Sequence, residues 1–428
     1  MTPARKTRRH FLLSTSAAAT GAAVSLGGVP LVHAAGSQAF KVGLIGCGGR
    51  GRGAAENICE AAGSNHSITI HALADVFKDR VDDCLSYLQG AEACQGRLDV
   101  PAERQFVGFD AFQKVIDCCD LVLLATPPGF RPQHLEAAVA AGRHIFTEKP
   151  VAVDGPGIRK VLKAYEVALA KNLAIVAGTQ RRHQAPYLES MKRIHDGAIG
   201  DIQFARVFWN QGNIWAVPRR PEWDDMTAQL RNWYHYTWLC GDCIVEQHVH
   251  NLDVANWAIG QHPISAYGMG GQQVNRGPEF GQSYDHFAVD YEYPNGIHVL
   301  SMARQINNTD GDVNEYIVGT KGRWSSAQQA FEIGGRRERV RVQGVNPYVQ
   351  EHIDLLASIE AGKPLNELKT VAESTLTAIM GRMSAYTGKR VSWDDALNSK
   401  LDTFPKKLEF GPMPPPEPVA MPGITELI

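Results

Sequence analysis

The stretch that most constrains this chain is Lys41-Val42-Gly43-Leu44-Ile45-Gly46-Cys47-Gly48-Gly49-Arg50-Gly51. An apolar run of strand length ends in Gly46-x-Gly48-x-x-Gly51, and Arg52-Gly53-Ala54-Ala55-Glu56 reads as the start of a helix. At this spacing the first glycine permits a tight turn, the second lets a pyrophosphate approach the backbone, and the third brings helix close to strand. The phosphates would rest on free N–H groups at the helix N-terminus. The triplet marks Gly46, Gly48, Gly49, Arg50 and Gly51 as a dinucleotide turn. In a chain with 41 glycines such a triplet is weak unless the neighbouring elements support it.

The order of the next elements gives that support. Ser67 to Asp75 reads as a second strand ending in an acid, in the window where a carboxylate holds the adenosine ribose hydroxyls. Asp75 would repel a 2′-phosphate, which favours NAD over NADP; its bland alternative is a strand-end or helix-cap Asp. Lys78 to Gln89 reads as a helix and Gln105 to Val107 as a third strand. Leu121 to Ala125 is a continuous apolar run, as in buried parallel strands, and Thr126-Pro127-Pro128 stops it at a loop that can face a cofactor. A helix over Pro132–Ala141, a strand over Arg143–Thr147 ending in Glu148-Lys149-Pro150, a helix capped by Asp154 and a strand over Ala174–Gly178 come next. Strands alternating with helices predict an open parallel sheet with ligands at the carboxyl ends of its strands.

From about Gln180 the pattern changes. Trp209, Trp215, Trp223, Trp233, Tyr234, Tyr236 and Trp238 crowd one segment, which reads either as a wall for a sugar ring or as interface core. Ile244 to Ile259 reads as one helix. Strands over 264–269, 287–293, 297–302 and 313–319 come without intervening helices, which predicts a large antiparallel sheet covered by helices on one face. Helices over 347–361 and 371–387 precede a Pro-rich tail from Pro405 that reads as extended and wrapping a surface.

A net charge of -2 gives no electrostatic reason to expect nucleic acid or an anionic membrane as partner, and no internal apolar run is long enough to span a bilayer. The N-terminal Thr7-Arg8-Arg9-His10-Phe11-Leu12-Leu13, a small-residue stretch and Val32-His33-Ala34 resemble a twin-arginine export signal, which implies a periplasmic protein. The eight cysteines lie in or beside apolar runs of a large chain and do not read as a disulfide framework. The expected division is a signal at 1–34, a nucleotide domain at 35–180, a substrate and oligomerisation domain at 181–345, and C-terminal helices with the tail at 346–428.

The glycine turn, Ala125-Thr126-Pro127-Pro128, His134 with Ala137-Ala138, Gly142-Arg143-His144, Glu148-Lys149-Pro150 and His250-x-x-Asp253 together resemble, in order and spacing, the Gfo/Idh/MocA family of glucose–fructose oxidoreductase and inositol dehydrogenase. The resemblance covers roughly residues 40–390. It implies an α/β protein: an N-terminal Rossmann domain and a C-terminal α/β domain with a large, open, mainly antiparallel sheet, through which homodimers or homotetramers form. It also implies that Thr126, Pro127, His134, Glu148 and Lys149 contact the cofactor.

Lys149 ends a strand at the cofactor edge. Beside a positive nicotinamide ring its ammonium would be disfavoured, which suits proton exchange with a substrate hydroxyl. Glu148 reads either as a nicotinamide-side contact or as an ion-pair partner. In inositol dehydrogenase-like members a carboxylate four residues before the histidine completes a Lys/Asp/His site; here it is Glu246. His250, with an ordinary pKa of ~6.5, would take the hydroxyl proton, or else is a satisfied core histidine. Positions 246, 250 and 253 share one face of a continuous helix, and Asp253 reads as structural. Arg181 and Arg182 read as substrate-edge residues or surface charge; Trp233, Tyr236 and Tyr284 are further substrate-wall candidates. Cys240-Gly241-Asp242-Cys243 with His248 and His250 offers a rival zinc or redox reading, against which the family carries a glycine-rich turn here; no metal is expected.

The expected activity is NAD-dependent hydride transfer at a carbinol of a sugar, glycoside or cyclitol. Export adds a constraint, because outside the cytoplasm there is no ready nicotinamide pool. A cofactor that stays bound would then cycle by transfer between two substrates, by redox-neutral glycoside hydrolysis (oxidation, elimination, hydration, reduction), or with an external acceptor. A non-catalytic sugar-binding protein of the same fold is the remaining alternative.

Overall fold

A computed structural model describes residues 39–428, and the leader with Arg8 and Arg9 lies outside the described residues. The alternating strands and helices of the first part build a parallel sheet from β1 (Phe40–Ile45), β2 (Ile68–Asp75), β3 (Gln105–Val107), β4 (Leu121–Leu124), β5 (His144–Thr147) and β6 (Ile175–Ala177), in the order β3-β2-β1-β4-β5-β6. That is the doubly wound Rossmann order, with its switch point between β1 and β4. Helices α1 (Gly49–Ala62), α2 (Lys78–Gly90), α3 (Ala111–Cys118), α4 (Arg131–Ala140) and α5 (Gly155–Ala170) cross between the strands. Both faces are covered, so Leu121, Val122, Leu123 and Leu124 of β4 are all fully buried. The Asp154 carboxylate accepts from the Gly157 N–H and caps α5.

The chain crosses to a second sheet through α6 (Ala185–His195). Its nine strands are β7 (Ile202–Gln211), β8 (Ser265–Gly271), β9 (His286–Glu292), β10 (His298–Gln305), β11 (Asp312–Gly319), β12 (Gly322–Ser325), β13 (Ala330–Ile333), β14 (Arg336–Arg339) and β15 (Val391–Ser392), ordered β14-β13-β12-β11-β7-β10-β9-β8-β15. Within this sheet β7 and β10 run parallel, and the other described pairs are antiparallel. Between β7 and β8 lie α7 (Asp225–Arg231), α8 (Thr237–Cys240), α9 (Cys243–Glu246) and α10 (Val249–Ile259). The exposed edge strand β14 reads Arg-Arg-Glu-Arg, a charged row that discourages further pairing.

The chain then returns to the first sheet. In α11 (Pro347–Glu360), Leu355 and Leu356 join the core beneath α1. Leu365 to Glu367 pair with Ile175 and so cover the β6 edge. Helix α12 (Leu368–Thr387) is buried nearly all round, as expected of a helix between layers, and α13 (Trp393–Asn398) starts on a Ser392/Asp395 capping box. The tail beyond Ser399 is extended.

The predicted helix over 244–259 is interrupted. The His248 N–H bonds back to the Cys243 carbonyl and the His250 N–H to the Gln247 carbonyl, so α9 and α10 meet at a break. The continuous face expected for positions 246, 250 and 253 is therefore two short segments.

The glycine turn has the geometry its spacing predicts. Gly46 has φ +100°, and a Cβ there would lie 2.6 Å from the Ala125 and Thr126 backbone. A Cβ at Gly51 would lie 1.8 Å from the Gly46 carbonyl oxygen, so α1 can approach β1 only as glycine. Gly51→Ala must push α1 off the turn. The expected cost is about 1–3 kcal/mol of stability together with weakened NAD binding, read by urea unfolding and by NADH fluorescence titration.

Candidate active site

A cavity of about 530 Å³ opens at the carboxyl ends of β1, β2 and β4. Gly46, Gly48, Gly49 and Arg50 form its floor, Asp75, Val76 and Phe77 one end, and Thr126, Pro127 and His134 a side. The donors fit a dinucleotide. Nothing lies within 4 Å of where a Cβ of Gly48 would stand, so the N-terminus of α1 is open to an anion. The Asp75 carboxylate is aimed by the N–H groups of Cys47 (2.8 Å) and Phe77 (3.0 Å), and each oxygen keeps lone-pair capacity for ribose hydroxyls. Phe77 and Phe109 offer apolar walls for a base. Arg80 also lines this end, a cation that the Asp75 reading did not include.

His134 lies between Phe112 and Phe130, with ring centroids 4.3 and 5.9 Å away, and its Nδ1 is 3.2 Å from the Thr126 hydroxyl. Burial pushes its pKa down to about 3, so it is a neutral part of the wall. Arg50 spans the floor. Its Nε is 2.8 Å from Glu148, its Nη2 donates to Asn57, and its guanidinium lies over the Tyr348 ring. Glu148 thus has the ion-pair partner that the sequence left open.

The polar cluster starts where β5 ends. Lys149 Nζ reaches across to Glu246, 3.0 Å from Oε1 and 2.5 Å from the main-chain carbonyl. That carbonyl is available because of the break: a continuous helix would give it to the His250 N–H. The other Glu246 oxygen is buried and has no hydrogen-bond partner among the described residues. Beside this pair, His250 stacks on Trp209 with centroids 5.8 Å apart. Its pKa is pushed well below the ordinary value, first by burial and then by the charges of Lys149, Arg181 and His248. The sequence reading of an imidazole with its ordinary pKa is therefore corrected: burial and the neighbouring cations disfavour the protonated form of His250.

Arg181 and Arg182 are spent inside the protein. Arg181 bonds the fully buried Glu315, which also accepts from Tyr187 (2.9 Å) and Asn251 (2.7 Å). Arg182 grips Asp253 with Nε and Nη2 at 2.8 and 2.9 Å. Trp233 lines the dinucleotide cavity, and Tyr236 packs in the apolar cluster around Phe130 and Trp238. Tyr284 is buried and donates its hydroxyl to the Ala420 carbonyl of the tail.

Cys240 and Cys243 are buried, and burial raises both thiols. Cys240 Sγ accepts from the Asp242 N–H, while Asp242, at φ 78°, accepts from the N–H groups of Cys243 and Tyr284 and from the Tyr386 hydroxyl. These contacts make the C-x-x-C segment the turn that launches α9. His248 is engaged with Ser301 at 2.7 Å.

Sequence reasoning missed Arg131. It is 1% exposed and donates to the carbonyls of Thr126 and Glu148 and to Thr147 Oγ1 (3.2 Å). It joins the cavity loop after β4 to the Lys149 loop after β5. Its one signal in sequence is a charge set between Phe130 and Pro132 in an otherwise buried stretch.

Residues 40–176 match the oxidoreductase family with an NAD-binding Rossmann fold, and residues 187–325 match the GFO/IDH/MocA C-terminal domain. The chain belongs to the Gfo/Idh/MocA family of oxidoreductases, and its nucleotide domain is of the NAD-binding kind. It is 23% identical over 289 residues to the inositol 2-dehydrogenase of Rhizobium meliloti (strain 1021), which spans 68% of this chain and 76% of the relative. It is 26% identical over 235 residues to the 2,7-anhydro-N-acetylneuraminate hydratase of Escherichia coli (strain K12), covering 54% of this chain and 57% of the relative. Among solved structures, levoglucosan dehydrogenase in complex with NADH and levoglucosan superposes with a TM-score of 0.66 at 18% identity, over 83% of this chain and 99% of that one.

Arg131→Met leaves the Thr126 carbonyl without its donor and the Glu148 carbonyl with the Thr147 hydroxyl alone. It should cost about 1–3 kcal/mol per orphaned group and loosen NAD, seen as a lower melting temperature with a smaller shift on adding the cofactor. The neutrality of His250 sets a second expectation. The pH profile of kcat/KM should lack an inflection at the ordinary histidine value of 6.5. The imidazole should titrate only further into acid when followed by NMR of labelled histidine.

Proposed function

We propose that this protein moves hydride between a carbinol carbon of a sugar, glycoside or cyclitol and a nicotinamide that stays bound. The observation that carries this reading is Lys149 set against Glu246 beside a neutral, stacked His250, one loop away from the dinucleotide cavity. The sugar and cyclitol substrates in the names of the relatives support the substrate class. When bound, the nicotinamide supplies the hydride acceptor and donor. Lys149 holds the reacting oxygen with an N–H and stabilises negative charge on it. His250 accepts the hydroxyl proton. As hydride leaves the carbon the O–H becomes far more acidic, so a weakly basic imidazole is sufficient to take its proton. In the reverse direction the same imidazolium is a strong donor to the carbonyl oxygen. The unpartnered Glu246 oxygen takes a neighbouring hydroxyl.

A second reading is supported by the hydratase among the relatives. Oxidation two carbons from a leaving group acidifies the C–H between them, so elimination, water addition and re-reduction complete a redox-neutral cycle. Export through the twin-arginine leader, with Arg8 and Arg9 as its signature, fits either cycle, because a resident cofactor needs no external pool. A second copy of the chain is the partner we infer. Met269, Ala288, Met302 and Phe208 lie in register on the outer sheet face, and both methionines are exposed, which suits a homodimer or homotetramer. Among the described residues no helix is long and apolar enough to cross a membrane.

Nitrophenyl glycosides and free cyclitols separate the two cycles. Aglycone release without net NADH supports the redox-neutral one; reduction of bound nicotinamide by a cyclitol supports the dehydrogenase. Lys149→Ala should lower kcat by about 10²–10⁴ in either case. Unchanged turnover in Lys149→Ala would sink the site assignment.

A further inference from the structure

The dinucleotide cavity has a roof as well as a floor. Trp215, Val217, Leu230, Arg231 and Trp233 line it from the segment before, within and just after α7. The roof is fastened at two places. Arg231 makes a bidentate pair with Asp79 of α2, both contacts 2.7 Å, and its guanidinium lies 3.7 Å from the Phe77 ring centroid. The second fastening is the C-terminal tail.

The tail runs from the nucleotide domain, over the outside of the cavity wall, to the far helices. Thr403 bonds through N and Oγ1 to the Asp154 oxygen that does not cap α5. Phe404 packs edge-on against Phe130 (5.5 Å) and Trp238 (5.9 Å). Phe410 packs on Phe77 (5.8 Å) and Phe109 (5.1 Å). Phe77, Phe109 and Phe130 all line the cavity, so each of these three has a tail aromatic behind it. The tail then bonds α7 directly: the Gly411 carbonyl accepts from the Met226 N–H (3.2 Å), and the Met413 N–H donates to Asp225 (3.0 Å). Further on, the Ala420 carbonyl takes the Tyr284 hydroxyl and the Gly423 N–H bonds the Thr387 carbonyl.

We propose that residues 403–423 are a strap that holds α7 closed over the bound dinucleotide, so that release of the strap, and not the contacts of NAD itself, sets the rate of cofactor exchange. This deepens the resident-cofactor reading and rests on it. The roof also packs on the floor through Met226 and Leu230 against Phe130, in an apolar cluster that Phe404, Leu408 and Met413 of the tail close from outside. With its outer surface tied to α5, α7 and α12, it opens only when the tail lifts.

The test is exchange of isotopically labelled NAD into the full-length protein as purified, followed by rapid filtration. Phe410→Ala removes the packing behind Phe77 and Phe109 with every cavity-lining side chain itself unsubstituted, and Asp225→Ala removes the acceptor of the Met413 N–H. Each should shorten the exchange half-time by at least about tenfold, the equivalent of ~1.4 kcal/mol. If Phe410→Ala does not fold, Asp225→Ala, a change at a partly exposed side chain, reads the same property through the tail's bond to α7. Equal half-times in wild type and in every folded variant, or wild-type exchange complete within seconds, overturns the proposal. Reduction of bound nicotinamide in a single turnover reports hydride transfer regardless of exchange, so failure of the strap and failure of the proposed chemistry are told apart.

Discussion

The arrangement depends on one buried cation. Arg131 takes carbonyls at the ends of two adjacent parallel strands, where the ladder has run out and loops begin. Only a planar fork with several fixed donors can serve two carbonyls and a hydroxyl at once. Burial lowers its pKa to about 10, against the raising effect of Glu148 and Glu246, so it remains charged at neutral pH. Thr126 and Pro127 on one loop and Glu148 and Lys149 on the next are thereby held in fixed relation. The cofactor wall and the loop that carries Lys149 share a single anchor.

Around that anchor, charges alternate. Arg50 meets Glu148, Lys149 meets Glu246, Arg181 meets Glu315 and Arg182 meets Asp253. Each pair is partly or wholly withdrawn from water, where removing one partner is far more costly than the pair is worth. The result is a site rich in ionic groups that presents few free ones. What remains incompletely paired there is the His250 imidazole, one Glu246 oxygen and the Lys149 ammonium.

Much of this was legible from residue order. The spacing of the three glycines, the acid at Asp75 and the Glu148-Lys149-Pro150 strand end specify the nucleotide half, because each is a local requirement of backbone geometry. Lys149, Glu246 and His250 were also identifiable. Their exact relation was not, since a regular helix over 244–259 gives no sign that hydrogen bonding shifts at Gln247 and His248. Arg181 and Arg182 looked available because their partners, Glu315 and Asp253, lie 134 and 71 positions away. Arg131 was obscure because its partners Thr126, Thr147 and Glu148 meet it only once the strands are in place, and the tail, expected to wrap a surface, gave no sign of which surface. The hairpin strands β12 to β14 were likewise too short to stand out.

The broken helix has a consequence that can be counted. An ammonium carries three N–H donors. At Lys149 the Glu246 carboxylate takes one, and the carbonyl exposed by the break takes a second. One donor is left, with one direction. Lys149 can therefore address a single further acceptor, which under the function proposed above is one oxygen of a molecule that offers many equivalent ones. Regiochemistry among near-identical hydroxyls would follow from the valence of a nitrogen as much as from the shape of a pocket.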